Sequence, residues 1–559
     1  MRTSDNTAAA YDYESDWRRY TFPGSEAEFA SDARVRRTFA RYELGKRGGG
    51  IGGIPLACNG RTAYINDSIE HTLIFGETGS GKSYSLIMPM IPILAESQSM
   101  FVTDIKGELS ADPKIRGYLE SVGCKCVYLD FREFNKDSYN ILQYPFELYR
   151  SGKKDKAMAT LTSFIRTLAT PFENSKSADP YWHLSAEEFM LPVLQILFEV
   201  CASRPDYYKY VNMLSLASFC NENGTDALKS ILRNHIKTNN NATEMLKGVL
   251  AAPEKTLSCI VSTVASFLRD FVVQDSLLRM LSSSSFDVRR MYREKTCVFL
   301  ILPDETDSYN AISGLLIDFF YHQLIDEFSA KYQHEPPKHC ISMVIDEFCN
   351  VCINGMNSKI SASRGRMIRW FLVCQSKQQL DTVYEKDAPT IIGNCKNILF
   401  LQSSDPEMLN YISHLLGTTN ITHSGQPEPL MSAEKLKSLP RTPDYRQAIF
   451  MRDDLKYKVN LPGFDKYTYL NDTIAASVEI PAGNMPAPEA YTPAMLREDL
   501  NSGKVPVPFK KRDIEPPVRR SVRKRSVTQT DDDDIKKIED EIERKFAELF
   551  GELDDDDDD

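Results

Sequence analysis

A chain of 559 residues, 42% hydrophobic and 26% charged, is too long for a single core and too apolar for a disordered protein, so two or three folded domains are expected. Its formal net charge of −11 excludes a uniformly basic nucleic-acid binder, but ten of the negative charges sit in Asp531–Asp534 and Asp554–Asp559, and the rest of the chain is close to neutral. A local basic channel for DNA therefore stays open.

No stretch reaches about 18 uninterrupted apolar residues, and the acidic, aromatic N-terminus lacks the order of a signal peptide, which predicts a cytoplasmic protein without a membrane span. Residues 1–50 are polar, mixed in charge and end in Gly48–Gly50; they read as a flexible N-terminal arm with short helical pieces. From Ile51 short apolar runs bounded by turn residues begin. HTLIFG (71–76), MFVTDIKG (100–107) and CKCVYLDF (124–131) make a first set of strands. CVFLILP (297–303), ISMVIDEF (341–348), RWFLVCQS (369–376) and NILFLQS (397–403) make a second. Runs that are apolar on both faces suit a parallel sheet covered by helices.

Between the sets, from 151 to 286, the period becomes helical, as in AEEFMLPVLQILFEV and DALKSILRNHI. The expected organisation is thus a nucleotide-binding domain in two parts, 51–150 and 287–480, interrupted by an all-α domain over 151–286. Residues 481–559 read as a Pro-rich linker, a basic stretch from Lys510 to Arg525 and an acidic tail. In that tail Ile535, Ile538, Ile542, Phe546, Leu549 and Leu553 recur at helical spacing. The basic stretch suits DNA phosphates and the acidic helix a basic partner; a solubilising tail is the plainer alternative. The twelve cysteines follow no framework. Neither Cys124/Cys126 nor Cys349/Cys352 has the second pair that tetrahedral zinc needs, so they read as reduced thiols in a core.

GETGSGKS, comprising Gly76, Glu77, Thr78, Gly79, Ser80, Gly81, Lys82 and Ser83, fits G-x-x-x-x-G-K-[ST] between an apolar strand and a helical run. Glycines there let backbone N–H groups surround phosphate oxygens, and the following helix adds its positive end. Lys82 is expected to reach the β- and γ-phosphates of ATP, and the Ser83 hydroxyl to ligate Mg²⁺. ISMVIDEF ends a second buried strand in Asp346 and Glu347. Alone such a pair reads as solvated acids; beside the loop, Asp346 suits Mg²⁺ and Glu347 suits polarisation of the attacking water. Asp104, Lys106 and Glu108 close the strand in VTDIKGEL, and Gln375 closes RWFLVCQS, where it suits sensing of the γ-phosphate. Arg364 and Arg366 precede that last strand, and a guanidinium there suits a neighbouring subunit's site. The chain carries no H-R-D…D-F-G set and no N-K-x-D guanine reader, GNCKN being the nearest string, which argues against a kinase or GTPase.

Together these pieces resemble the TraG-type coupling proteins of type IV secretion and conjugation, hexameric ATPases with a RecA-like core. The resemblance spans about residues 50–470 and rests on GETGSGKS, DIKGEL, MVIDEF and SRGRMIRWFLVCQSKQQL, followed by NILFLQSSDPEMLNYISHLLG and LMSAEKLKSLP. KTLSCIVSTVASFL and YWHLSAEEFMLPVL are similar to segments of that family's inserted all-α domain. The resemblance implies an α/β, RecA-like phosphate-loop domain with a mostly parallel sheet and ATP and Mg²⁺ as cofactors. It implies catalytic roles for Glu347 and Gln375, and for Arg364 across a subunit interface. It further implies a homo-hexamer that passes single- or double-stranded DNA with a relaxase, or protein effectors, to the components of a secretion channel. The family usually begins with a transmembrane anchor, and this chain shows none before its phosphate loop. Two expectations follow: either a separate small membrane protein recruits it to the cytoplasmic face of the membrane, or it is a soluble variant. A nucleotide-gated docking receptor without motor activity is the competing reading.

Overall fold

The computed structural model describes residues 27–46, 50–173, 180–236, 241–306, 308–351, 353–419, 428–477 and 479–508. The basic stretch and acidic helix of 510–559 lie outside the described residues, as does Cys352.

Fourteen strands are described. β1 (Ala40–Glu43), β2 (Ile54–Cys58) and β3 (Thr62–Asn66) form a small antiparallel sheet in the order β1-β3-β2. β4 (Thr72–Phe75), β5 (Ser99–Ile105), β6 (Lys125–Asp130), β7 (Thr296–Leu302), β8 (Ile341–Ile345), β9 (Ile368–Cys374) and β10 (Asn397–Phe400) are the seven apolar runs of the sequence, all paired in parallel. β11 (Thr418–Thr419) and β12 (Glu428–Pro429) make a two-stranded ribbon, and β13 (Tyr445–Arg452) with β14 (Leu455–Pro462) an antiparallel hairpin at the edge of the large sheet. That sheet runs β14-β13-β10-β4-β9-β8-β5-β7-β6.

β4, β7, β8 and β9 are buried along their whole length, as strands covered on both faces must be. Alternate residues serve the two faces: Leu73 and Phe75 enter one apolar core, and Ile74 enters the other with Met90 and Ile91 of the helix after the phosphate loop. On the first face the long helix Asn310–Lys331 lies against the sheet, where Phe320 packs edge-on to Phe101 and Tyr139.

Between β6 and β7 the described residues hold helices and no strand. Pro180–Ala202 is contacted by Lys154–Glu173, Asn241–Leu250 and Glu254–Val273. Among the described residues Glu254–Val273 alone has the length and hydropathy of a membrane span. Its stripe of Leu257, Ile260, Val264, Phe267 and Phe271 is buried within this helical layer.

The chain enters the folded body before residue 50. Ser31 caps the helix Asp32–Thr38 by accepting from the Arg34 N–H, and β1 then joins the small sheet, so this part of the expected arm is structured. The far end also differs from a plain linker. After β14 the chain crosses Pro113, where the Ala476 N–H donates to its carbonyl, and then Asn135, which accepts from Gly483. It then forms a helix, Pro493–Asn501, on the helical layer. There Asp499 is buried and accepts from the hydroxyls of Tyr207 (2.8 Å) and Tyr491 (2.7 Å).

Candidate functional site

In the order β4-β9-β8 three parallel strands deliver their carboxyl ends side by side, and Gly76, Gln375 and Asp346 each follow one of them. Phe75 pairs with Cys374, and the Gly76 N–H donates to the Cys374 carbonyl at 3.1 Å, so the loop leaves the sheet beside Gln375. Crevices at the carboxyl ends of such strands are where open α/β sheets bind ligands.

The loop from Gly76 to Ser83 has Gly79 at φ +78° and Gly81 at φ +92°, left-handed values that glycine adopts without steric cost. It is fastened from outside by Glu77, whose N–H donates to the Gln402 carbonyl and whose carboxylate accepts from the Ser404 N–H (2.8 Å) and hydroxyl (2.7 Å). Lys82 is 7% exposed and folds back on its own loop, donating to the carbonyls of Gly76 (2.6 Å) and Glu77 (3.2 Å). The Ser80 hydroxyl is buried with no hydrogen-bond partner among the described residues. An ammonium held on carbonyls and an orphaned hydroxyl are groups that an anionic ligand would satisfy. Ser83 opens one π-helical turn, Ser83–Ile87, ahead of the helix Met88–Ala95. Pro89 and Pro92 remove two N–H donors from this segment, which accounts for a start wider than the regular helix expected.

Asp346 is buried, and that burial, with Glu347 beside it, pushes its carboxyl up to about 7; Lys82 pulls the other way. One carboxylate oxygen accepts the Glu347 N–H at 3.0 Å, and the other has no hydrogen bond among the described residues. A buried carboxylate that close to charging fits a cation partner, and Mg²⁺ suits an oxygen donor set of this kind. Glu347 stands at φ +51°, an uncommon conformation for a branched-free but bulky residue, and its carboxylate accepts from the Gln375 side-chain amide at 2.9 Å. The two residues expected to handle the attacking water are thus in contact.

Asp104 also ends near this group, but it is spent locally: it accepts from the N–H groups of Leu109 (3.1 Å) and Ser110 (2.8 Å). Lys106, at φ +88°, approaches Asp304 at 4.0 Å. Arg364 lies elsewhere, before the amino end of β9, and pairs with both carboxylate oxygens of Glu70 at 2.8 and 3.0 Å. Seven residues of β9 separate it from Gln375, about 20 Å of extended chain, so it stands apart from this crevice. Arg366 donates to the Ala362 carbonyl.

Two residues at the loop carry no motif signal. Arg441 donates to the Gly79 carbonyl, and the Arg446 side chain lies against Gly81, where an added Cβ would come within 2.3 Å of Nε. Both arrive through long-range sheet pairing, since β13 sits next to β10 and β10 next to β4.

The model of the family described as type IV secretory system conjugative DNA transfer matches residues 37–455, most of the chain. The chain belongs to that family. No curated protein matches it in sequence. Among solved structures it is similar to the bacterial conjugative coupling protein TrwBdeltaN70 in complex with sulphate, with a TM-score of 0.51 and 14% identity over 78% of this chain and 94% of that one. Plasmid coupling protein TrwB in complex with the ATP analogue ADPNP gives a TM-score of 0.52 and 15% identity, covering 84% of this chain and 97% of that one. The complex of TrwB with ADP and Mg²⁺ gives 0.51 and 15%, covering 78% and 94%. At such identities the likeness is one of fold, and it identifies the RecA-like α/β core with its helical layer.

Proposed function

We propose that this family member is a Mg²⁺-dependent ATPase that couples nucleotide turnover to delivery of DNA with its relaxase, or of protein effectors, to a type IV secretion channel in conjugation. The observation that carries the reading is the convergence of Lys82, Asp346, Glu347 and Gln375 at adjacent strand ends, with the Glu347–Gln375 hydrogen bond made. TrwB complexes with ADPNP and with ADP and Mg²⁺ support ATP and Mg²⁺ as the ligands.

In this reading Gly76–Ser83 hold the phosphates, and Lys82 exchanges its carbonyl partners for phosphate oxygens. Ser83 and Asp346 would hold Mg²⁺, which supplies positive charge against the developing negative charge of phosphoryl transfer. Glu347 accepts a proton from water, and Gln375, bonded to it, orients that water and registers the γ-phosphate. Arg364 acts on the neighbouring subunit's site, which suits its place at the opposite end of β9 and a homo-hexamer. Cytoplasmic placement, with attachment to the membrane through a small partner protein, completes the proposal.

Glu347→Gln tests it. Single-stranded DNA should stimulate turnover by the native chain, and the variant should bind ATP while losing at least about a hundredfold in turnover. Substrate transfer that survives the substitution would favour a docking receptor over a motor.

A further inference from the structure

The hairpin at the sheet edge brings a pair of arginines to the phosphate loop that no motif predicts. Arg441 and Arg446 flank a tight turn: the Thr442 N–H donates to the Tyr445 carbonyl at 2.9 Å, the Gln447 N–H to the Pro440 carbonyl at 2.9 Å, and the Thr442 hydroxyl accepts from Asp444 and Tyr445. The two arginines themselves form a backbone bridge. The backbone that carries the two arginines is therefore a hydrogen-bonded turn.

Both point at glycines of the loop. Arg441 donates to the Gly79 carbonyl, and Arg446 covers Gly81 so closely that a methyl group there would meet its Nε at 2.3 Å and its Cζ at 3.0 Å. Neither has an ion-pair partner among the described residues, although Lys466 close by in the fold takes Asp444 at 2.9 Å. Partial burial first, and the charge of Arg441 second, push the pKa of Arg446 below its usual range. Two guanidiniums on one turn beside an anion cradle form a site that an anion would join favourably.

We infer that Arg441 and Arg446 form a phosphate clamp supplied by the same subunit as the loop, ligating the polyphosphate of a bound nucleoside triphosphate. The clamp rests on the nucleotide reading above and adds a second cationic wall to it, opposite in origin to Arg364, which comes from another subunit in that reading. Because the arginines ride on the edge hairpin, phosphate binding would also tie β13 to the loop.

The test is equilibrium binding of ATP, and of inorganic tripolyphosphate as competitor, to the full-length chain with Mg²⁺, using Arg446→Gln, Arg446→Lys and the double Arg441→Gln/Arg446→Gln. Loss of charge-assisted bonds should weaken both probes by about tenfold or more in Arg446→Gln and further in the double variant. Arg446→Lys should recover part of the affinity, while the melting temperature of ligand-free protein stays unchanged. Unaltered ATP and tripolyphosphate affinity in the double variant overturns the clamp. So does a loss in which Lys is no better than Gln and ligand-free protein melts lower, which is a packing role, or a loss confined to single-stranded DNA binding. Native protein that binds neither probe would instead refute the nucleotide reading, and the clamp with it.

Discussion

His71 stands one residue before the strand that feeds the phosphate loop, and both of its ring nitrogens are committed. Nδ1 accepts the Trp370 N–H at 3.1 Å, so Nε2 must carry the proton it gives to the Ile360 carbonyl at 2.9 Å. Burial lowers its pKa to about 4, against an ordinary value near 6.5. The unfolded chain therefore binds a proton that the native state refuses between those two values. Stability falls as pH drops through that window and levels off below it, a loss of about 2 kcal/mol between pH 7 and pH 5 from this group. Denaturant unfolding at the two pH values should read that loss, and His71→Gln should flatten the dependence; an equal slope in both proteins would refute the assignment. The site shows the same split between pattern and partner. Lys82, Asp346 and Glu347 were legible because each follows an apolar run in a short motif. Arg441 and Arg446 were not, since RTPDYRQ is unremarkable until β13 is laid beside β10.

At the level of elements, the seven parallel strands were readable because each is a run of apolar residues with no polar face to hide. The hairpin β13/β14 escaped notice although LKYKVNLP alternates buried and exposed positions and Asp453 supplies the turn at φ +51°. Its signal is a period of two, and it is weaker than the long runs around it. The small sheet meets the large one through a shared apolar core, the Arg452–Asn66 hydrogen bond (3.2 Å) and a buried guanidinium. Arg369 of β9 donates to the carbonyls of Ser68 (2.7 Å), Ile51 (3.1 Å) and Gly52 (2.8 Å), and to the Ser342 hydroxyl of β8 at 3.1 Å. Burial pulls its pKa down to about 10, but four acceptors keep the charge satisfied. Arg369→Met keeps the stem and leaves those acceptors unpaired, so it should cost about 3–5 kcal/mol in denaturant unfolding. Amide exchange should rise first over residues 51–68; a uniform rise across both sheets would mean that the guanidinium supports the large sheet instead.

For the molecule as a whole, composition misleads where the chain is held by its ends. Residues 481–505 are rich in proline and read as a linker, yet Tyr491, Leu496 and Val505 are buried against the helical layer. The chain thus leaves the sheet at β14, passes Pro113 and Asn135 and packs its residues up to 508 on the helical layer, tying the two parts of the body together. Arg364 raises the remaining question of scale, because it stands at the end of β9 opposite to Gln375, and the proposed function assigns it to a neighbouring copy's site. Its guanidinium is already aimed by Glu70, whose two carboxylate oxygens it holds, so it is presented as a fixed group at the amino end of the sheet. If it completes a neighbour's site, a subunit lacking Glu347 still offers a good arginine, and one lacking Arg364 still offers a good crevice. Glu347→Gln and Arg364→Ala proteins, each inactive alone, should then regain turnover when mixed. With random assembly into closed rings, about one interface in four combines the two intact halves, so about a quarter of native turnover is expected at equal amounts. Recovery should follow the product of the two fractions and vanish if subunits are prevented from exchanging. A mixture that stays at the level of its components would confine Arg364 to its pair with Glu70 and leave the ATPase site complete within one chain.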